Sequence, residues 1–131
     1  MPALLLDTTV LIDALRGRDA AERIRAVAAS GGPPPYVCAV NVDELWRGAR
    51  THEEKAIRRL LGALRVAPLG EVEGERAGSW RRDFASSGVT LSQADCLIAA
   101  AAVGIGAGLA TGHPRDFPMP GLTVEHWPVG E

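Results

Sequence analysis

The chain has 131 residues, with 14 basic and 16 acidic side chains for a net charge of −2, and nearly half of it is apolar. That length is the size of one domain, and the apolar share is enough to bury a sizeable core, so the expectation is a single domain over residues 1–131. The charge balance excludes a globally basic nucleic-acid binder, and no apolar run reaches the roughly 18 residues of a membrane span, the nearest, "CLIAAAAVGIGAGLA", being broken by glycines.

In chain order, residues 3–6 read as a short buried strand that stops at Asp7. Thr8 or Thr9 is placed to cap a helix whose stripe is Val10, Leu11 and Ala14 and which ends near Gly17. "DAAERIRAVAASGG" is a second helix, with Asp19 as its cap and Ala20, Ile24, Val27 and Ala28 facing inward. Three prolines forbid helix, and "YVCAV" follows as a second strand. "NVDELWRGA" starts a third helix. "HEEKAIRRLLGAL" is strongly amphipathic, with Ile57, Leu60, Leu61 and Leu64 inward. "RVAPL" is a third strand. "EVEGERAGSWRRDFASSG" is helical, with Trp80 and Phe84 on one face. "TLSQADCLIAAAAVG" is apolar all round and therefore a buried helix. "GLAT" and "LTVEHW" close the series as fourth and fifth strands. Strands alternating with helices imply a three-layer α/β/α sandwich around a mostly parallel sheet.

In such a sheet, ligands bind beyond the carboxyl ends of the strands. Asp7 lies at that edge. Glu44 falls in the first turn of the helix after the second strand, Asp95 in the first turn of the buried helix, and Asp116 five residues after Thr111, where the fourth strand ends. Four acids brought to one edge repel one another, and a divalent cation resolves the conflict. Ligands that are all oxygen select Mg²⁺, with Mn²⁺ as a substitute, over zinc. His52, His113 and His126 lack zinc-ligand spacing, and Cys38 and Cys96 form no CxxC pair and read as buried free thiols. Such a site suits metal-assisted phosphoryl chemistry with activated water.

Each acid also has a structural reading. Asp7 can simply end a strand. Glu44 stands three residues after Asn41, and Asp95 three after Ser92, the spacing of a capping box. Asp116 sits in a proline-flanked loop where turn-forming Asp is common. Asp13 and Asp43 read as surface or capping acids. Thirteen of the 14 basic residues are arginines, a bias that runs through the whole chain and marks no one surface. Arg16, Arg47, Arg50 and Arg115 lie nearest the expected site edge and are the candidates for holding a phosphate-bearing substrate.

At these residues the chain resembles PIN domains, and within them the VapC-type toxins of bacterial toxin–antitoxin pairs. The stretches that carry the resemblance are "LLLDTTVLIDALRG", "VNVDELWRGA", "LSQADCLIAAAAVGIGAGLAT" and "TGHPRDF", in the family's order and spacing across nearly the whole chain. The resemblance implies a Mg²⁺-dependent endoribonuclease acting on RNA, restrained by a cognate antitoxin. It implies metal or catalytic roles for Asp7, Glu44, Asp95 and Asp116, and supporting roles for Thr9 and Thr111. His113 stands where the family often has Asn. A homodimer is expected, together with docking of an amphipathic antitoxin helix near an exposed Trp46 and a helical hairpin running from "HEEKAIRRLLGAL" to "RRDF". No secretory signal is visible, so a reduced, cytoplasmic protein is expected.

The competing functions are weaker. An aspartyl-nucleophile phosphatase wants a second acid two residues after the first, where this chain has Thr9. A receiver-like module needs a lysine after a late strand, and the one lysine, Lys55, falls within a helix. A non-catalytic interaction module would use every acid as a cap.

Overall fold

The computed structural model describes residues 2–130. The strands are β1 Leu4–Leu6, β2 Tyr36–Val37, β3 Arg65–Val66, β4 Gly108–Thr111 and β5 Val124–His126. The helices are α1 Thr8–Leu15, α2 Asp19–Ala29, α3 Ala39–Arg47, α4 Glu54–Gly62, α5 Glu71–Ser86 and α6 Gln93–Gly104. Two short 3-10 turns, Thr51–Glu53 and Pro114–Asp116, interrupt the connections.

All five strands pair in parallel in the order β3-β2-β1-β4-β5. The chain builds outward from β1 to one side and then returns to lay β4 and β5 on the other. The switch point therefore falls between β1 and β4, whose register pairs Leu5 with Leu109 and Leu6 with Ala110. Alternation along the strands sends Leu5 and Leu109 to one face and Leu6 and Ala110 to the other. On the first face they meet Trp80 and Ala77 of α5 and the alanine run of α6. On the second they meet Val10, Leu11, Ile24, Leu45 and Ile57 from α1, α2, α3 and α4. This is the expected α/β/α sandwich.

Several local expectations change. The second and third strands are only two residues long, because Cys38 already caps α3 and Ala67 turns away after one further bond to Val37. Asp7, not a threonine, caps α1. Arg18 occupies the cap position of α2, and Asp19 is the first helical residue, where its charge still favours the helix dipole. α4 and α5 do not form a hairpin: β3 intervenes, and the two helices cover opposite faces of the sheet. Trp46 is half-buried, with the Arg58 guanidinium stacked 4.8 Å over its ring. Asp13 is not a surface acid; it is 2% exposed. Among the described residues no helix is long and apolar enough to cross a membrane. Both cysteines are free and buried.

Candidate active site

Asp7 is the hub of the carboxyl edge. Its backbone is still extended, and its amide continues the β1–β4 ladder by donating to the Ala110 carbonyl at 2.9 Å. Its Oδ1 accepts from the Thr8 amide at 2.8 Å. Its Oδ2 accepts from two hydroxyls, Thr9 at 2.9 Å and Thr111 at 2.7 Å. A carboxylate only 5% exposed would be costly unpaired. Three donors offset that cost and still leave about one of its four lone-pair sites open.

Glu44 reaches the same edge from α3. Cys38 caps that helix, and Asn41 is its third residue, with Oδ1 accepting from the Cys38 amide at 2.8 Å. Glu44 is therefore the sixth helical residue, in the second turn and not the first as expected, and the capping-box reading of Asn41 with Glu44 fails. The Glu44 Oε1 instead accepts from the Thr8 hydroxyl at 2.6 Å.

A hydroxyl has one proton to give. Thr8 Oγ1 accepts from Asn41 Nδ2 at 3.0 Å, Thr9 Oγ1 from the Gly112 amide at 3.2 Å, and Thr111 Oγ1 from the His113 amide at 3.0 Å. Each threonine is thus supplied with an N–H from behind and must aim its own proton at a carboxylate. The arrangement holds Asp7 and Glu44 as acceptors. Among the described residues no buried side-chain nitrogen or oxygen lacks a partner. Thr9 and Thr111 were expected from the sequence. Thr8 and Asn41 were not, and nothing local marks them: Asn41, fully buried between two valines, reads as a helix cap until α3 is seen to start at Ala39.

Asp95 enters from the first turn of α6. Ser92 caps that helix by accepting from the Asp95 amide at 3.0 Å. Burial is the largest influence on the Asp95 carboxyl and pushes its pKa above the ordinary Asp value, the Ser92 hydroxyl holds it back, and the charges of Asp7, Asp116 and Glu44 push it further up. Asp116 sits exposed on the Pro114–Asp116 turn. All four acids therefore share one electrostatic field, with Asp95 inside it. As they stand, no three such side chains among the described residues are close enough to grip one ion directly. The donor set is nonetheless all oxygen and acidic, with part of Asp7 and one oxygen of Glu44 uncommitted. It fits a hard cation that keeps several of its own waters, as Mg²⁺ does.

Of the four candidate arginines, Arg16 and Arg50 line one groove of about 430 Å³ that includes Glu44 and has Ile12, Leu45 and Ile57 in its walls. Arg47 is exposed on the last turn of α3 outside that lining, and Arg115 is exposed beside Asp116.

The PIN domain family matches residues 4–117. Ribonuclease VapC10 of Mycobacterium tuberculosis is 40% identical over 128 residues, which cover 98% of this chain and 88% of the relative. The VapBC2 complex of Rickettsia felis, solved bound to a DNA fragment from its promoter, superposes with a TM-score of 0.84 at 20% identity, over 95% of this chain and 98% of that one. A toxin–antitoxin complex from Klebsiella pneumoniae superposes with a TM-score of 0.74 at 26% identity, over 92% and 95%.

Proposed function

Because the chain belongs to the PIN-domain family, we propose that it is an endoribonuclease toxin that hydrolyses RNA phosphodiester bonds and is neutralised by a cognate antitoxin. Asp7, Glu44, Asp95 and Asp116 hold a divalent cation, Mg²⁺ with Mn²⁺ as a substitute. That cation supplies Lewis-acid stabilisation of the phosphate and activation of water. The protein works in the cytoplasm, as one PIN-like domain per chain, and pairs as a homodimer.

The observation that carries this reading is the site's construction. Asp7 and Glu44 are fixed as acceptors by three threonine hydroxyls, and the charges of both act on the Asp95 carboxyl. Prepaid orientation of this kind costs no rearrangement when charge develops on the reacting phosphate. The phosphatase reading lacks its second acid: the position two residues after Asp7 is Thr9, whose hydroxyl donates to Asp7 Oδ2. Cys38 is no nucleophile either: burial holds its thiol above the ordinary pKa and so protonated. Arg16 and Arg50, exposed along the groove that reaches Glu44, are placed to hold the RNA backbone on its way to the acids.

The test is RNA cleavage by purified protein with Mg²⁺, Mn²⁺, Zn²⁺ or excess EDTA. Activity is expected with the first two, incomplete with zinc and absent with the chelator. Full cleavage in EDTA would overturn the metal mechanism. Sequencing the cleaved ends after brief induction in cells identifies the RNA.

A further inference from the structure

Thr9 takes its place from a distant part of the chain. Its hydroxyl donates to Asp7 Oδ2 and accepts from the Gly112 amide. Gly112 has no left-handed backbone, so conformation alone does not demand glycine there. Space does. A Cβ at position 112 would stand 2.8 Å from one Val129 methyl, closer still to the other, and 3.1 Å from the Val129 Cβ, so no rotation of that short branched side chain clears it.

Val129 belongs to a segment that follows β5 and is pinned at both ends. At one end the Trp127 amide donates to the Thr111 carbonyl at 2.9 Å, and the indole is buried against the core face formed with α1 and α2. At the other the Gly130 amide donates to Asp13 Oδ1 at 3.0 Å. Asp13 is buried in α1 and spends its second oxygen on the Ala20 amide at 3.1 Å, with the Arg18 guanidinium 3.9 Å from the first. A continuous set of contacts thus runs from Asp13 through Gly130 and Val129 to Gly112, then to Thr9 and Asp7.

We propose that residues 127–130 form a strap that positions the site: Val129, held by Asp13, presses on Gly112 and sets where its amide points, and through Thr9 this fixes the Oδ2 edge of Asp7. Val129 and Asp13 are positioning residues in this scheme. The inference rests on Asp7 being catalytic, as proposed above, but the geometry it asserts can be read without catalysis.

The experiment compares wild type, Gly112→Ala, Val129→Ala and the double variant by RNA cleavage, by thermal melting, and by hydrogen exchange of the amide at position 112 in metal-free protein. Gly112→Ala is expected to lower kcat about tenfold or more with KM nearly unchanged, because a small misplacement of a fixed group costs rate rather than affinity. Exchange at position 112 should accelerate. Val129→Ala alone should also lower kcat and loosen that amide, because the pressing methyls are gone. In the Gly112→Ala background the same change makes room, and both kcat and protection should return most of the way. A change that harms one background and rescues the other is not expected from general destabilisation. If Gly112→Ala melts lower yet keeps wild-type kcat, the strap is only structural and the proposal falls. If Gly112→Ala fails to fold, Val129→Ala decides, and unchanged exchange at position 112 overturns the proposal. If the wild type cleaves no RNA with any divalent ion, the ribonuclease reading fails, and the exchange data still judge the strap.

Discussion

Asp95 gives its backbone amide to the Ser92 cap and its carboxyl to the acidic edge, and Asp95→Asn changes only the carboxyl. Its amide is engaged by Ser92, while its carboxyl sits in a partly desolvated field of three other acids. The folded pKa is raised, so ionising Asp95 is harder in the metal-free fold than in the unfolded chain. By linkage its contribution to stability is fully present below the unfolded carboxylate range, about pH 4, and is lost as pH rises through the higher folded value. Asp95→Asn should remove that loss. At pH 7 without metal the variant should melt no lower than wild type. Mg²⁺ should raise the melting temperature of wild type by mass action and that of the variant much less. RNA cleavage should fall by orders of magnitude, since the variant loses one of the site's fixed charges. Melts between about pH 4 and 8, with and without Mg²⁺, beside a cleavage assay, check all of this. A variant that melts lower and stays active would leave the Asp95 carboxyl a structural role and nothing more.

At the scale of elements, α4 presents its apolar side inward through Ile57 but leaves a second groove open between itself, α1 and α2. Ala14, Leu15, Ile24, Ala56 and Leu60 line it, with Arg25 and Arg59 also along it, over about 470 Å³. The prediction is that an antitoxin helix with an apolar stripe docks in this groove and that Arg59 favours an acid beside it. It adjoins the groove of Arg16, Arg50 and Glu44, sharing Leu15 with it, but Ala56 lines this one alone, so a change there tests it separately. Ala56 is exposed, and glutamate is a good helix former, so Ala56→Glu should leave the fold intact. Placed against the acids of a docked helix it should weaken antitoxin binding by tenfold or more, of order 1.4 kcal/mol, while RNA cleavage stays at the wild-type rate. Co-purification and cleavage in the presence of the antitoxin measure both effects. Retained inhibition would move the docking site elsewhere.

For the molecule as a whole, the two thiols report on integrity of the sandwich. Cys38 is the cap residue of α3 and Cys96 lies within the alanine-rich α6, both fully buried, and burial raises both thiol pKa values. The reactive species is the thiolate. A thiol-specific reagent at about pH 8 should therefore label native protein far more slowly than protein in denaturant, where both cysteines react at the rate of an ordinary thiol of pKa near 8.5. Fast labelling of the native state would mean that the faces of the sheet open readily. Light scattering on the same sample tests the homodimer; a monomer mass across micromolar concentrations would exclude it.

The amino-acid pattern by itself determined the layers and pointed to the edge where the candidate acids lie. Apolar periodicity is local, so "LLL", "GLAT" and the alanine run of α6 were legible as strand, strand and buried helix. Parallel strands have their carboxyl ends at one edge, so Asp7, Glu44 and Asp116, which follow β1, β2 and β4, lie on that side. The resemblance added the names of the roles. What only tertiary structure decided is where the polar atoms find partners. Thr111 meets Asp7 across 104 positions of chain, and Asn41 meets Thr8 across 33, because the β1–β4 register and the early start of α3 bring them together. Asp13 looked like a solvent-facing acid because α1, taken alone, has a polar side. That side is covered by the start of α2 and by the segment after β5, and a helix cannot announce in its own sequence which distant backbone amides will close over it.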